Sequence, residues 1–371
     1  MNRFRIAFLS AVLAVLLAPA ASAQLSRPLT DRQMEAFRWR SVGPTNMMGR
    51  ITDVEGVPGP SRTVYVAAAA GGVWKTTNNG TTFELIWDGN GRVVSMGDIG
   101  LAPSDPDVLY LGTGEEDSRN SISPGGGVFK STDGGETWEA VGLEGTQAIG
   151  RIAVHPEDPD VAFVAALGHI WGSNPDRGLY RTRDGGASWQ LVKFISDRAG
   201  FVDVLLDPRD PDVVWAASWE RVRGPYFLQS GGPGSGLWKS TDGGDSWTEV
   251  VGGGFPTAMK GRIGLAIAPS DPDVMYAMVE AEEGNGLYRS ADGGRTWEKK
   301  NDVNTRPFYY SQVRVDPADA DRVYFSSTPV QFSDDGGETY GTTTNDVHVD
   351  HHAMWIDPTD PQRVVVGNDG G

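Results

Sequence analysis

The sequence predicts an all-β protein, a β-propeller of four-stranded blades with six complete blades and a partial seventh. Two repeats that alternate along the chain support this prediction. One is an eight-residue pattern, Ser-x-Asp-x-Gly-x-Thr-Trp, with a full copy at residues 131–138, and the other is a Pro-rich pattern such as that at residues 102–108. In addition, 49 Gly and 23 Pro among 371 residues, together with 12 Trp, indicate many turns around an apolar core.

The two repeats predict different turns. Asp-Gly-Gly lies between runs of strand-forming residues, and Gly accepts the positive φ of a tight hairpin turn. The Pro-rich pattern also separates two apolar runs, so it predicts a stiff turn between another pair of strands. Each unit of about 40 to 60 residues therefore contains strands A, B, C and D, as in a propeller blade. The predicted blades are 49–88, 93–143, 150–194, 200–251, 261–302 and 310–343, with a seventh that begins at residue 352 and has strand B at residues 363–367.

The chain divides into three predicted regions. Residues 1–23 have the charged start, apolar run and small-residue cleavage site of a signal peptide, so we expect a secreted or periplasmic protein. Residues 24–48 are predicted to form a short helix and then a strand, residues 37–43, that closes the ring. Residues 49–371 form the propeller, which we expect to be truncated at the C-terminus because the seventh blade stops before its third strand.

Composition excludes several classes of function. The chain has no Cys, which excludes disulfides, thiolate catalysis and Cys-ligated metals. A formal net charge of −17 argues against nucleic acid as a partner. No apolar stretch outside the signal peptide approaches the length of a membrane span. We also expect the protein to be a monomer.

The eight-residue pattern is the Asp box, or bacterial neuraminidase repeat. On this pattern, and on residues 39–44, 49–51, 306–312 and 349–352, the chain from residue 39 onward resembles secreted Asp-box propellers of the sortilin-like and glycosyl hydrolase-like group. The resemblance implies a propeller whose boxes are structural and lie away from the ligand face. Such boxes occur in sialidases, xyloglucanases, sortilin receptors and photosystem assembly factors alike, so the activity stays open. The structural positions are Asp133, Asp184, Asp242, Asp292, Asp335, Trp138, Trp189, Trp247 and Trp297.

Ligands of a propeller bind where its D–A and B–C loops gather, so these loops supply the candidate binding residues. Arg50, Arg151 and Arg262 lie on D–A connections and would hold an anionic ligand if they converged. The alternative is that each pairs with a nearby acid. Aromatic residues are expected to stack on sugar rings or peptide side chains. The candidates for ligand binding among them are Trp219, Tyr309 and Tyr310.

A His-rich segment precedes the seventh blade. Strand alternation would place His348, Asp350 and His352 on one side, within reach of a divalent cation. The alternative is a hydrogen-bonded cluster beside two tyrosines. We expect no cofactor to be required, and a divalent cation is the one candidate.

The acidic loops supply candidate catalytic carboxylates, of which Glu116 and Asp350 are selected. A glycosidase needs two carboxylates across a groove, whereas charge on exposed loops is otherwise a matter of solvation. The main hypothesis is therefore an exported binding module for a protein, peptide or glycan. The alternative is a secreted glycoside hydrolase of the Asp-box type that uses a loop Glu/Asp pair.

Overall fold

The computed structural model describes residues 49–88, 93–119 and 122–371, all of which belong to one compact unit. The predicted signal peptide (residues 1–23) and the predicted helix and closing strand within residues 24–48 lie outside the described residues.

The described residues form the predicted β-propeller. Six sheets of four antiparallel strands, one of which carries a fifth strand, are followed by a seventh sheet of two strands, and no helix occurs among the described residues. Blades 1 to 3 contain β1 (Ile51–Gly56), β2 (Val64–Ala68), β3 (Gly72–Thr76), β4 (Glu84–Trp87), β5 (Met96–Leu101), β6 (Leu109–Thr113), β7 (Val128–Ser131), β8 (Glu139–Gly142), β9 (Ile149–Val154), β10 (Ala162–Ala166), β11 (Gly178–Thr182) and β12 (Gln190–Lys193). Blades 4 to 7 contain β13 (Ala199–Asp207), β14 (Asp210–Gly224), β15 (Phe227–Ser230), β16 (Gly236–Ser240), β17 (Thr248–Glu249), β18 (Lys260–Ile267), β19 (Met275–Ala281), β20 (Gly286–Ser290), β21 (Glu298–Asn301), β22 (Val313–Asp316), β23 (Asp319–Phe325), β24 (Gln331–Ser333), β25 (Gly341–Thr342), β26 (His351–Asp357) and β27 (Asp360–Asn368).

The seven sheets form a closed ring. The first strands of blades 1 to 6 lie innermost, and each packs beside the first strand of the next of these blades. Arg314 of β22 donates to the carbonyl of Met354 in β26 at 3.2 Å, and β1 packs against β26. At that junction Ile51 and Val64 of blade 1 form one apolar cluster with Ala353 and Trp355 of blade 7. Apolar side chains between adjoining blades therefore supply the core of the ring.

The eight-residue repeats build turns at the C–D corners. In the copy of blade 2, Asp133 accepts hydrogen bonds from the backbone N–H of Thr137 (2.9 Å) and from its hydroxyl (2.5 Å), while the Ser131 hydroxyl accepts from Gly135 N–H. Gly134 and Gly135 have φ of 68° and 89°, a region that Gly enters without strain. The hydrogen bonds from Thr137 and Ser131 lower the pKa of Asp133 to about 2, so it is ionised at neutral pH. Comparable bonds are made by Asp184, Asp242, Asp292 and Asp335.

Aspartates on the inner strands connect successive blades. Asp53, Asp98 and Asp203 accept the backbone N–H groups of Ile99 (3.0 Å), Ile152 (2.7 Å) and Leu265 (2.8 Å). Each of these aspartates lies five residues before the Pro of its A–B turn. Asp53 and Asp98 thereby accept a hydrogen bond from the inner strand of the next blade. The bond from Asp203 likewise reaches β18 of the next blade. A buried carboxyl group thus takes the place of a backbone acceptor at each of these three junctions.

Candidate functional site

One face of the ring collects the D–A and B–C loops, because strand A begins there and strand B ends there. We call it the loop face. The B–C loop of blade 2 crosses this face to the centre of the ring, and we call residues 115–119 the central loop. Its side chains reach residues of blades 1, 5, 6 and 7. The central loop therefore lies over the centre of the ring, where its charged side chains meet polar and charged side chains from several other blades.

Buried ion pairs hold the central loop. Arg50 Nε donates to Glu115 at 2.8 Å, and Arg262 donates to Glu116 (3.1 Å) and Asp117 (2.8 Å). All three carboxylates are buried. Burial, with the neighbouring Asp117, raises the pKa of Glu116 to about 8. Burial acts in the same direction on Asp117, but His352 and Arg262 outweigh it and hold the pKa of Asp117 well below its usual value.

His352 links the central loop to blade 7. Its Nδ1 lies 3.1 Å from Asp117 Oδ2, and its Nε2 lies 3.0 Å from Asp369 Oδ1. Burial by itself would lower the pKa of this ring, but the two aspartates raise it to about 9. His352 is therefore a buried imidazolium at neutral pH, paired on both nitrogens.

Two partly exposed carboxylates lie where blade 7 meets the loop face. Asp350 immediately precedes β26 and Asp369 immediately follows β27, and the N–H of Asp369 donates to the carbonyl of Asp350 at 3.0 Å. The Tyr310 hydroxyl donates a hydrogen bond to Asp350, and the Tyr309 hydroxyl donates one to Asp369 Oδ1 at 3.1 Å. We call Tyr309, Tyr310, Asp350 and Asp369 the mouth cluster. The side chains of Asp350 and Asp369 are 20% and 17% exposed, so both carboxylates are accessible from the loop face.

Backbone strain concentrates at the mouth cluster. Six residues other than Gly have positive φ among the described residues, and three of them, Arg306, Ser311 and Asp350, lie in or beside this cluster. Side chains disfavour this region of φ, so it persists where the surroundings fix the chain, and such positions concentrate at functional sites.

A second feature of the loop face is a hairpin on blade 4. Strand β14 continues beyond the blade and pairs with β15, and Arg223 forms a backbone bridge to Trp171 of blade 3. Tyr226 at the tip is 99% exposed, and Phe227 and Trp171 are 56% and 47% exposed. The sequence contains no second copy of this hairpin, which is why the repeats did not predict it.

The three arginines that the sequence suggested as ligand-binding residues do not form an open site. Arg50 and Arg262 bond Glu115, Glu116 and Asp117, so they do not form an open cationic cup. Arg151 faces a channel cavity of about 20 Å³, with Nε 3.8 Å from Asp203. The structure thus agrees with the alternative interpretation of these arginines, in which each pairs with a nearby acid.

Trp219 and Glu116 are enclosed. Trp219 is fully buried and donates from Nε1 to the Ser230 hydroxyl at 3.1 Å, so its ring does not reach the loop face. Glu116 is 3% exposed and paired with Arg262. The rings of Tyr309 and Tyr310 are buried too, and their hydroxyls bond the carboxylates of the mouth cluster.

The predicted metal trio does not assemble. Strand β26 begins at His351, and Asp350 has φ of 65°, so the alternation that would align the three side chains is absent. His348 is exposed and bonds the carbonyl of Val349, whereas His352 points inward to its two aspartates. No group of three His, Asp or Glu side chains is arranged to hold a metal ion within the described ranges. The cluster of His352 with Tyr309 and Tyr310 is the packing alternative considered for this segment.

Asp117, Arg119, Arg306 and Asp369 were missed as site residues. Asp369 precedes Gly370 and Gly371, so it has the sequence context of a turn. The residues that identify it as part of a site, Arg119 and His352, are 250 and 17 positions away. No local pattern connects them.

Comparison with known proteins gives partial matches. Residues 126–255 match the Sortilin-Vps10 family, described as sortilin, neurotensin receptor 3. A xyloglucanase from Paenibacillus sp is 24% identical over 265 residues, which cover 65% of this chain and 25% of the relative. An oligoxyloglucan-reducing end-specific xyloglucanase from Emericella nidulans is 25% identical over 217 residues, 55% of this chain and 24% of the relative. This chain thus spans about a quarter of the length of these curated relatives.

Solved structures share the fold. The GH74 xyloglucanase from Xanthomonas campestris has a TM-score of 0.66 at 19% identity, covering 90% of this chain and 52% of that protein. YCF48 bound to D1 peptide has a TM-score of 0.58 at 14% identity, covering 87% and 92%. The chain resembles the glycoside hydrolase-like β-propellers. In the part of the chain that the structure describes, no helix has the length and apolar character needed to cross a membrane.

Proposed function

We propose that the protein is an exported, glycoside hydrolase-like β-propeller that binds a glycan at the mouth cluster and hydrolyses it. The observation that carries this proposal is the pair of partly exposed carboxylates, Asp350 and Asp369, on adjoining strand ends of the loop face. The similarity to xyloglucanases supports a glycan as the ligand. The signal-peptide pattern supports export.

The pair fits the chemistry of glycoside hydrolysis, in which one carboxylic acid transfers a proton and a second, ionised carboxylate faces the positive charge that develops on the sugar. Burial opposes ionisation of Asp369, but its bond with His352 and the charges of His352, Arg50 and Arg119 lower its pKa, so it is assigned the ionised role. Asp350 accepts the Tyr310 hydroxyl on Oδ1, while Oδ2 accepts no hydrogen bond from a described residue. Asp350 is therefore assigned the proton transfer.

The strand register supports the action of both carboxylates on one bond. His351 pairs with Asn368 at the end of the two strands, and just beyond this pair the N–H of Asp369 bonds the carbonyl of Asp350 at 3.0 Å, so the two acids adjoin. Glu116, which the sequence favoured as a partner for Asp350, is assigned to the structural ion pairs instead, because it is enclosed with Arg262.

Binding without turnover is the second candidate function. The exposed Trp171, Tyr226 and Phe227 on and beside the β14–β15 hairpin favour it, because aromatic rings stack on sugars and on peptide side chains. Under this alternative the mouth cluster orients a ligand, and the carboxylates accept its hydrogen bonds.

A hydrolysis and binding screen with the full chain tests the proposal. The substrates are xyloglucan and other soluble polysaccharides, and the variants are Asp350→Asn and Asp369→Asn, with Asp346→Asn as the matched control. Asp346 is an exposed acid in the same segment. We expect release of reducing ends by the parent protein and by the control, and a loss of about a hundredfold or more in either mouth variant. Glycan binding with no turnover would support the binding function, and undiminished turnover in both mouth variants would overturn the assignment of the carboxylates.

A further inference from the structure

Two arginines at the mouth cluster reach solvent. The side chains of Arg119 and Arg306 are 37% and 55% exposed, and their guanidinium carbons lie 5.3 and 4.7 Å from the centre of the Tyr309 ring. Arg50 and Arg262, by contrast, are enclosed with carboxylates of the central loop. The mouth therefore presents cations as well as carboxylates to a ligand.

Arg306 has donors that the described residues do not use. Its guanidinium group makes no hydrogen bond with them, and the nearest carboxylate oxygen, Asp350 Oδ2, is 4.0 Å away. Arg119, in contrast, donates to Asp369 at 2.8 Å and to the Tyr309 hydroxyl. A guanidinium group offers five N–H donors in a planar fork, so Arg306 keeps its fork available to a ligand beside Asp350.

The backbone holds Arg306 in a defined place. Its φ is 47°, in the left-handed region, and its carbonyl accepts the N–H groups of Tyr309 (2.8 Å) and Tyr310 (3.2 Å). The side chain stacks over the same tyrosines, at 4.7 and 5.9 Å from the ring centres. A surface arginine held by a strained backbone and by stacking has lost much of the freedom that ordinarily makes exposed ion pairs weak.

We propose that the glycan bound at the mouth cluster is acidic, with a uronic acid residue whose carboxylate is held by the Arg306 fork. This inference rests on the proposed function and specifies its substrate class. A carboxylate is planar and matches the guanidinium fork in two parallel hydrogen bonds. A group with a single negative charge also suits the place better than a phosphate, because Asp350 and Asp369 lie beside it and repel additional charge.

Matched oligosaccharides test the inference through affinity. The probes are oligosaccharides of galacturonic acid, of glucuronoxylan and of hyaluronan, each compared with its methyl ester, together with a neutral xyloglucan oligosaccharide. Esterification removes the charge and retains the sugar. Titration calorimetry with the full chain is expected to give a dissociation constant about ten- to a hundredfold lower for at least one acid than for its ester.

Variants then locate the effect. Arg306→Gln is expected to remove the preference for the acid over its ester, and Arg306→Lys to keep part of it, because the charge remains and the fork is lost. Arg322→Gln is the control, since Arg322 is a half-exposed arginine that pairs with Asp334 at a C–D corner. Thermal unfolding of each variant reports whether the fold is intact.

The outcomes separate this inference from the proposed function. Equal affinity for every acid and its ester, or an acid preference that Arg306→Gln leaves unchanged, would overturn the inference that the substrate is acidic. Binding of the neutral oligosaccharide in that case would leave the proposed function standing. If no probe binds, the proposed function fails together with the inference. An acid preference that Arg306→Gln removes and Arg322→Gln retains supports it.

Discussion

Single side chains at the centre of the molecule stabilise one another as buried ions. Asp117 is fully enclosed and has three cations around it: Arg262, His352 and, farther away, Arg50. Removing one member of such a group leaves an uncompensated charge in the buried interior, which costs more than the pair itself contributes. The central loop therefore depends on its partners in five other blades, since Arg221 of blade 4 also bonds the carbonyl of Glu116.

Replacing Arg262 tests this dependence. Arg262→Met leaves the buried charge of Asp117 without its nearest cation and Glu116 without a hydrogen-bond donor, and we expect a loss of about 3 to 5 kcal/mol in the free energy of unfolding, measured with urea at neutral pH. Arg322→Met is the matched control, because exposed pairs contribute about 0 to 1 kcal/mol. Equal effects of the two substitutions would contradict the described burial of Arg262.

His352 predicts a pH dependence of stability. Its pKa is raised in the folded protein to about 9 from an unfolded value of 6.5, so protonation favours folding. This contribution is fully present below pH 6.5 and is lost as pH rises toward 9. We expect the free energy of unfolding to fall across that window in the parent protein. His352→Gln, which cannot titrate, should be less stable below pH 6.5 and show a flatter profile; a parallel decline in both proteins would be evidence against a charged His352.

Among the elements, those defined by turn chemistry were predictable and those defined by distant contacts were not. The Asp-Gly-Gly and Pro-rich turns determine where strands start and end within a few residues, so the sequence located all seven blades. The β14–β15 hairpin and the central loop lack a repeated signal. The predicted metal trio assumed strand alternation across residues 348–352, but the positive φ of Asp350 breaks that alternation and strand β26 begins at His351.

The aspartates that connect the inner strands give a test at the level of elements. Asp98→Ala leaves the buried N–H of Ile152 without an acceptor, and we expect a loss of about 1 to 3 kcal/mol in the free energy of unfolding. Asp98→Asn keeps an acceptor oxygen. Because burial raises the pKa of Asp98 well above its usual value, the fold favours the neutral form of this side chain, which a neutral amide matches. Asn is therefore expected to be at least as stable as Asp in urea unfolding, and a loss as large as that of Ala would contradict this role.

At the scale of the whole molecule, the ring was predictable and the site was not. Repeats spaced by 43 to 58 residues define blades, and blades of this kind close into a ring because each buries its faces on two neighbours. The site depends on pairs that no repeat connects, such as Gln312 with Glu116, 196 residues apart. Candidate residues could be named by type, but which acid meets which base required the folded ring.

The junction between the first and seventh blades provides a further test. A Cβ atom added at Gly56 would lie 2.5 Å from the Trp355 ring, so Gly56→Ala requires this ring or the adjoining strands of the two blades to shift. We expect a loss of about 1 to 3 kcal/mol in urea unfolding, as for other overpacked cores, and faster proteolysis at this junction. Gly126→Ala, where the nearest atom would be a Val93 methyl at 3.3 Å, is the milder control. Equal stability of the two variants would argue against packing of blade 1 on blade 7.

The reach of the central loop also sets an order of events during folding. Arg119 bonds Asp369, and its loop meets His352, so the mouth cluster requires contacts between segments about 235 to 250 residues apart in the chain. Contacts of such long range form late, because the entropy of closing so large a loop is lost before they stabilise anything. A nascent chain could thus complete several blades, each with its own turns, and still have no working mouth. The proposed hydrolysis would appear only once blade 7 joins blade 1, so its onset would report ring closure.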